Sequence, residues 1–208
     1  MKITVLGASG RIGGLAVQEA LTRDWHVTAV VRDPSRLTVP AHPQLEVAVH
    51  SLGDPDLADA LIGRDAVLLA LGPADRNPTT VNTDATRAVV EALRGSSTRF
   101  VVVSAGGLPA DGDSVLMRFL VKPLLGAVLR NSYADLLSME SVLHGEPEVR
   151  WTIVCPPRLT NTPGRGQVRT SLAGNVRGGS QIARADVARY LVDASVDDGL
   201  VGRKVWIA

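Results

Sequence analysis

Residues 2–24 read KITVLGASGRIGGLAVQEALTRD. Lys2 to Leu6 form a short β-rich run, and Gly10 to Asp24 carry Ile12, Leu15, Ala16, Val17, Ala20 and Leu21 at helical spacing. Between and into these two segments Gly7, Gly10 and Gly13 stand at intervals of three. A strand that turns tightly into a helix through glycine opens a βαβ unit. The N–H groups of such a helix point at any anion the turn admits. The stretch therefore predicts a doubly wound α/β fold whose first turn cradles a pyrophosphate, with a tight turn lacking any ligand as the alternative.

The same alternation continues outward. Strand-like runs lie at His26–Arg32, Leu45–His50, Asp65–Leu71, Arg99–Ala105, Arg150–Pro157 and Lys204–Ala208. Helical stretches fall at Asp54–Gly63, Pro78–Gly95, Leu116–Leu129, Ser132–Leu143 and Arg184–Val196. In the first of these, Asp54 is the expected N-cap, Pro55 the first helical residue and Gly63 the stop. Strands separated by helices imply right-handed crossovers and a mostly parallel sheet with helices on both faces. The strands are near-continuous apolar runs, as burial from both sides requires. The expectation is one Rossmann-type domain over residues 1–208, with substrate-side segments at about 105–135 and 158–184. The polar, glycine-rich stretch Leu159–Ser180 interrupts the alternation. It reads as a long excursion over the ligand crevice or as a disordered surface loop.

Bulk properties exclude several classes. Of the 208 residues 45% are apolar and 21% charged, which is the composition of a globular domain with a full core. The formal charge of +1 offers no basic excess for nucleic acid or an anionic membrane. The single cysteine, Cys155, has no internal disulfide partner, and its apolar surroundings mark a buried packing residue. The four histidines are scattered without metal-ligand spacing, so no metal site is expected. The apolar run after Lys2 is too short for a signal peptide, and the stretch from Ser114 to Leu129 is too charged to span a bilayer. A cytoplasmic location is the expectation, and the chain is expected to be a monomer or weak homodimer.

The end of the second strand selects the dinucleotide. An acid there would hold a ribose 2′-hydroxyl and favour NAD, whereas arginine accommodates the 2′-phosphate of NADP. The sequence is VVRDPSR: Arg32 leaves the strand, with Ser35 and Arg36 behind it. Guanidinium groups grip phosphate through paired hydrogen bonds, and Arg11 could add a third charge. Asp33 is the counter-argument, since it could turn toward a ribose hydroxyl. NADP(H) is favoured over NAD(H).

The turn GASGRIG, then VRDPSRL, Gly53–Asp54, ALG ending at Gly72, VVVSAGG and WTIVCPPRL follow in one order over nearly the whole chain. This ordered set resembles the atypical, NmrA-like short-chain dehydrogenase/reductases, in the small single-domain branch of biliverdin reductase B/flavin reductase-like proteins. The resemblance implies that Gly7, Ser9, Gly10, Arg11, Ile12 and Gly13 wrap the pyrophosphate, while Arg32, Ser35 and Arg36 hold the 2′-phosphate. It places Asp54, with Leu52 or Gly53, beside the adenine, and Leu71 and Gly72 along the ribose and diphosphate. Ser104 would sit beside the nicotinamide, in a pocket shaped by Pro156 and Pro157.

Two departures bear on the reaction. The family's Tyr-x-x-x-Lys pair is reduced to Tyr133 with Leu137 where lysine belongs. A phenol with a pKa near ~10 is a poor proton donor without that lysine. This argues against alcohol oxidation and for an acceptor that takes its proton from water. Arg158 stands where the biliverdin-reducing relative carries histidine; it can clamp an anion but not donate a proton, and a structural role is the alternative. Leu108, Leu116, Phe119, Leu120 and Leu124 form either an apolar lid or core. The expected function is an NADPH-dependent reductase that passes hydride to a planar conjugated acceptor (flavin, including FMN, quinone or tetrapyrrole). Ser104 and Tyr133 are the candidate catalytic residues, with Leu108 and Arg158 on the substrate. The alternative is a non-catalytic NADP(H)-binding redox sensor.

Overall fold

Strand β1 (Lys2–Leu6) is buried on both faces, and its residues alternate between two cores. Ile3 and Val5 face one helical layer, and Leu6 faces the other. The structure, a computed structural model, describes residues 1–72, 77–106 and 122–208, with side chains in the last segment from residue 130 onward. On one side of β1 lie β2 (His26–Val31) and then β3 (Leu45–Val49), both parallel. On the other side come β4 (Ala66–Leu69), β5 (Arg99–Val103) and β6 (Arg150–Cys155), also parallel. The strand order β3-β2-β1-β4-β5-β6 reverses direction between β1 and β4. In such a sheet the ligand crevice opens above the carboxyl ends of the strands at that switch.

Helices α1 (Arg11–Thr22) and α4 (Arg184–Ala194) pack together on one face. Val17, Ala20, Val187 and Leu191 are buried there against Val101 and Val154. Helices α2 (Val81–Leu93) and α3 (Lys122–His144) cover the other face. Val89, Leu93, Met139 and Leu143 meet Phe100 and Ile153 on that side. The predicted doubly wound, mostly parallel α/β fold is observed.

Two local expectations are corrected, and a third loses its alternative. The two helical stretches at 116–129 and 132–143 are not separate where the chain is described: α3 runs unbroken through residues 130 and 131. No glycine or proline lies between Ala127 and His144 to stop it, and Pro123 sits in the first turn, where proline is tolerated. The stretch after Asp54 is a 3-10 helix, Pro55–Ala60, and Asp54 does not cap it through its side chain. Its carboxylate instead accepts the Ser51 N–H at 2.5 Å, so the first turn lacks the partner that would hold an α-helix. The 159–180 excursion is ordered. β8 (Thr170–Ser171) adds antiparallel to β10 (Arg203–Ile207), which extends the main sheet beyond β6. β7 (Arg158–Thr160) and β9 (Gln181–Ala183) pair as a separate parallel ladder.

Candidate functional site

Two of the three glycines in the first turn are required by the backbone itself. Gly7 has φ +83°, and a Cβ there would lie 2.7 Å from the Ala70 carbonyl oxygen. A Cβ on Gly13 would lie 2.1 Å from the Gly7 carbonyl oxygen, so the first turn of α1 rests directly on the turn that precedes it. Gly10 is the N-cap and offers no side-chain bond to the helix, and its own N–H donates to the Gly7 oxygen at 2.8 Å. Early N–H groups of α1 are thus left without a capping side chain, in the geometry that suits a phosphate. Leu71 closes over Gly7 from the end of β4, with its Cδ2 3.1 Å from the position a Gly7 Cβ would take. Ser9 and Ile12 are half-buried, while Gly10, Arg11 and Gly72 are exposed. The turn and the β4 end are brought together as expected.

At the β2 end Asp33 caps the turn that follows it. Its carboxylate accepts the Ser35 hydroxyl at 2.6 Å and the Ser35 N–H at 3.0 Å, capping the 3-10 turn Pro34–Arg36. These side-chain and backbone bonds hold the Asp33 carboxyl below its ordinary pKa. One oxygen of Asp33 and the proton of Ser35 are thereby engaged in the turn. Arg32 and Arg36 remain exposed beside it. Asp54 is also exposed, next to Gly53 at φ +98°.

The ends of β5 and β6 are stitched to one another. The Ser104 N–H donates to the Val154 oxygen at 2.8 Å, and the Gly106 N–H to the Pro156 oxygen at 2.7 Å. Pro156 is buried and Pro157 half-buried. Ser104 is 6% exposed, and its hydroxyl donates to Glu140 Oε1 at 2.5 Å. The other oxygen of Glu140 accepts from Lys204 Nζ at 2.6 Å. The lysine also stands 5.2 Å from the centroid of the Trp206 ring. Ser104 is thereby fixed by a buried ion pair between α3 and the last strand. Sequence reasoning missed this partnership, although a lysine inside the otherwise apolar KVWIA strand signals a nearby acid. Cys155 is buried beside it, and burial pushes its thiol up to about 12, so it packs rather than reacts.

The remaining candidates are separately placed. Tyr133 is half-buried, and burial raises its phenol above the ordinary value. Asp135, two residues on, caps α2 from outside that helix. Its carboxylate accepts the Asn82 and Thr83 N–H groups, both at 3.0 Å, and the Thr83 hydroxyl at 2.7 Å. Arg158 is exposed on β7 and donates to Gln181 Oε1 at 2.7 Å. Leu108, Leu116, Phe119 and Leu120 lie outside the described residues, as does the side chain of Leu124.

A family model described as NAD(P)H-binding matches residues 7–198. The chain belongs to this NAD(P)H-binding family. The match runs from the first glycine of the turn to the residues just before β10. The uncharacterized Bacillus subtilis protein YwnB is 26% identical over 199 residues, which cover 93% of this chain and 91% of that protein. A Streptococcus pneumoniae protein, assigned in name as an NADH-flavin reductase, superposes with a TM-score of 0.83 at 26% identity. That match covers 100% of this chain and 98% of the other. A Bacillus halodurans protein, assigned in name as an NAD-dependent epimerase/dehydratase, shares the fold with a TM-score of 0.75 at 21% identity, covering 100% and 93% of the two chains. Membership of this family and the Rossmann-type sheet agree with the resemblance to atypical short-chain dehydrogenase/reductases. They give the chain an NAD(P)H-binding fold. Among the described residues no helix is long and apolar enough to cross a membrane.

Proposed function

We propose that the protein is an NADPH-dependent reductase whose acceptor is a planar conjugated molecule of the flavin, quinone or tetrapyrrole type. The observation that carries the cofactor choice is the Asp33–Ser35 pair. Asp33 spends one carboxylate oxygen on its own turn, and Arg32 and Arg36 stand exposed on either side of it. Exposed guanidiniums at this position suit a 2′-phosphate. The tight glycine turn supports the rest of the fit, because Gly7 and Gly13 let α1 start close enough for its N–H groups to meet a diphosphate.

When bound, the dinucleotide supplies the hydride. The chain's own residues position and shield. Ser104, held by Glu140, presents the lone pairs of its oxygen rather than its proton, and so suits an amide N–H of the nicotinamide. Pro156 and Pro157 shape the adjoining wall, and Leu108 is assigned to the acceptor side. Tyr133 is the reserve proton source, but its raised pKa makes it a weak acid at neutral pH. That favours an acceptor protonated by solvent. Arg158 is assigned to an anionic group on the acceptor. The streptococcal relative's name agrees with a flavin acceptor.

The test is to mix the purified protein with NADPH and, separately, FMN, quinones and biliverdin, and to follow nicotinamide absorbance. Acceptor-dependent oxidation is expected with at least one of them. Tight NADPH binding without oxidation by any of the three classes would sink the enzyme reading and leave the redox-sensor function.

A further inference from the structure

Strand β3 forms one edge of the main sheet, while the opposite edge ends in the two-residue β8. The register of β3 with β2 is unbroken across all five residues, so no bulge turns the edge away from a neighbour. That register fixes which backbone groups are left over. The Val27 N–H donates to the Gln44 oxygen at 2.8 Å, and the His50 N–H to the Val31 oxygen at 3.1 Å. In a parallel ladder of that phase Glu46 and Ala48 direct their N–H and C=O groups at β2, whereas those of Val47 and Val49 point outward. Among the described residues no other strand takes them up.

Sheet edges are ordinarily guarded by proline, by an outward charge, by a bulge or by brevity. β3 reads LEVAV, followed by His50, and contains neither proline nor lysine. Its one charge, Glu46, is turned back onto its own sheet, where Oε2 accepts the Thr28 hydroxyl at 3.2 Å. Val47 and Val49 share one face of the strand, 42% and 56% exposed. We propose that β3 pairs with β3 of a second copy of this chain, antiparallel, about a two-fold axis at Ala48.

Self-complementarity selects both the occupant and the register. With Ala48 opposite its own copy, Val47 faces Val49 in both directions. The N–H and C=O groups of each Val47–Val49 pair then bond one another, and every outward group of the two valines is used. The alanines form the closely spaced, non-hydrogen-bonded pair at the centre, where a small side chain fits. On one face the exposed valines meet as cross-strand pairs. On the other, the Glu46 carboxylate stands opposite His50 of the second copy, an acceptor against an imidazole N–H donor. An axis one residue earlier, at Val47, would call on the Leu45 N–H, which already donates to the His42 oxygen at 3.0 Å, and would set Glu46 against an alanine. The contact is isologous and closes at two copies. One five-residue strand from each copy is a small interface, so the dimer is weak. Pairing of this kind needs no cofactor and is independent of the reductase assignment.

Sedimentation equilibrium of the full chain, from roughly micromolar to hundreds of micromolar, should show a monomer–dimer equilibrium with no larger species. Cysteine variants then read the register. Cys155 is buried and does not compete. Under mild oxidation Ala48→Cys should give a covalent dimer, because the facing Cα atoms stand about 4.5 Å apart, within disulfide reach. Val47→Cys, which faces Val49, should cross-link far less. A charge exchange reads the polar face. His50→Glu sets carboxylates opposite one another at two places in the dimer and should raise its Kd about tenfold, and adding Glu46→Lys should restore it. Glu46 is exposed and His50 half-buried, and thermal melts of both variants confirm that each is folded before it is compared. A chain that stays monomeric throughout, or that builds a series of larger species, overturns the pairing. Val47→Cys cross-linking as readily as Ala48→Cys, or a Kd that the charge exchange leaves unmoved, overturns the axis at Ala48.

Discussion

On the β1–β2 side of the crevice the chain is held by backbone atoms in contact, whereas on the β5–β6 side it is held by buried polar side chains. Gly7 and Gly13 bring three stretches of main chain, at residues 7, 13 and 70, to a separation that no side chain fits. At the other end Ser104 is fixed through Glu140 to Lys204, so its position depends on one ion pair spanning α3 and β10. A backbone contact is set by sterics, is insensitive to salt and pH, and fails all at once when a methyl group is added. A buried ion pair can be weakened by degrees and, with both charges removed together, partly replaced. The glycine turn is therefore held sterically, and the β5–β6 end is the one whose hold can be weakened by degrees.

The sharpest way to break that contrast is Gly13→Ala. A Cβ 2.1 Å from a carbonyl oxygen has no rotamer to escape into, so α1 must lift from the turn. The expected cost exceeds about 3 kcal/mol, a fall of roughly 6–12 °C in Tm for a chain of this size. Thermal denaturation followed by circular dichroism reads it. A variant melting within a degree of the wild type would show that the turn is not sterically fixed.

On the other side, Lys204→Met leaves Glu140 buried without its cation. Because the lysine side chain is still 17% exposed, the cost belongs at the lower end of the range for a broken buried pair, about 3 kcal/mol. The double variant Lys204→Met/Glu140→Gln should recover part of this loss. Recovery in a denaturant melt supports an ion pair held for position rather than stability. A double variant no better than the sum of its parts would place the cost in lost packing around Trp206 instead.

The same difference explains what could be read from the sequence. The glycine turn and the strand order through the first βαβ unit were legible because each obeys a local rule at short spacing. The role of Asp33 was not, since whether an acid caps its own turn or faces a ribose depends on a rotamer. The Ser104–Glu140–Lys204 chain joins positions 36 and 64 residues apart, and only packing brings them together. The short strands within residues 158–184 were not legible for a related reason. β8 has only two residues and β7 and β9 three each, too short for any periodicity to register.

Cofactor choice sharpens the comparison at smaller cost, because it depends on exposed charge rather than packing. Arg32→Ala should weaken NADPH binding by on the order of 2 kcal/mol, roughly 30-fold, and leave NADH binding nearly unchanged. Nicotinamide fluorescence titrations of both dinucleotides read the difference. If the two affinities fall equally, the assignment of Arg32 to the 2′-phosphate is wrong.

The smallest expected effect is in the acid limb of stability, and it again belongs to the polar half. Burial alone would raise the Asp135 pKa, but hydrogen bonds from Thr83 and Asn82 outweigh it and hold the carboxyl below its ordinary value. A carboxyl depressed in the folded state contributes stability that is present above its unfolded pKa, and loses it as pH falls through the folded value. Asp135→Asn should therefore destabilise the protein by about 1 kcal/mol at neutral pH, since one amide oxygen replaces a charged acceptor serving the start of α2. The gap between variant and wild type should begin to close as pH drops below about 4, the ordinary value of an aspartate in the unfolded chain, and go on closing as pH falls through the lower folded value. Urea melts across that range measure the gap directly. Curves that stay parallel into acid would mean that Asp135 holds α2 by shape alone, and that its charge adds nothing to the polar half of the crevice.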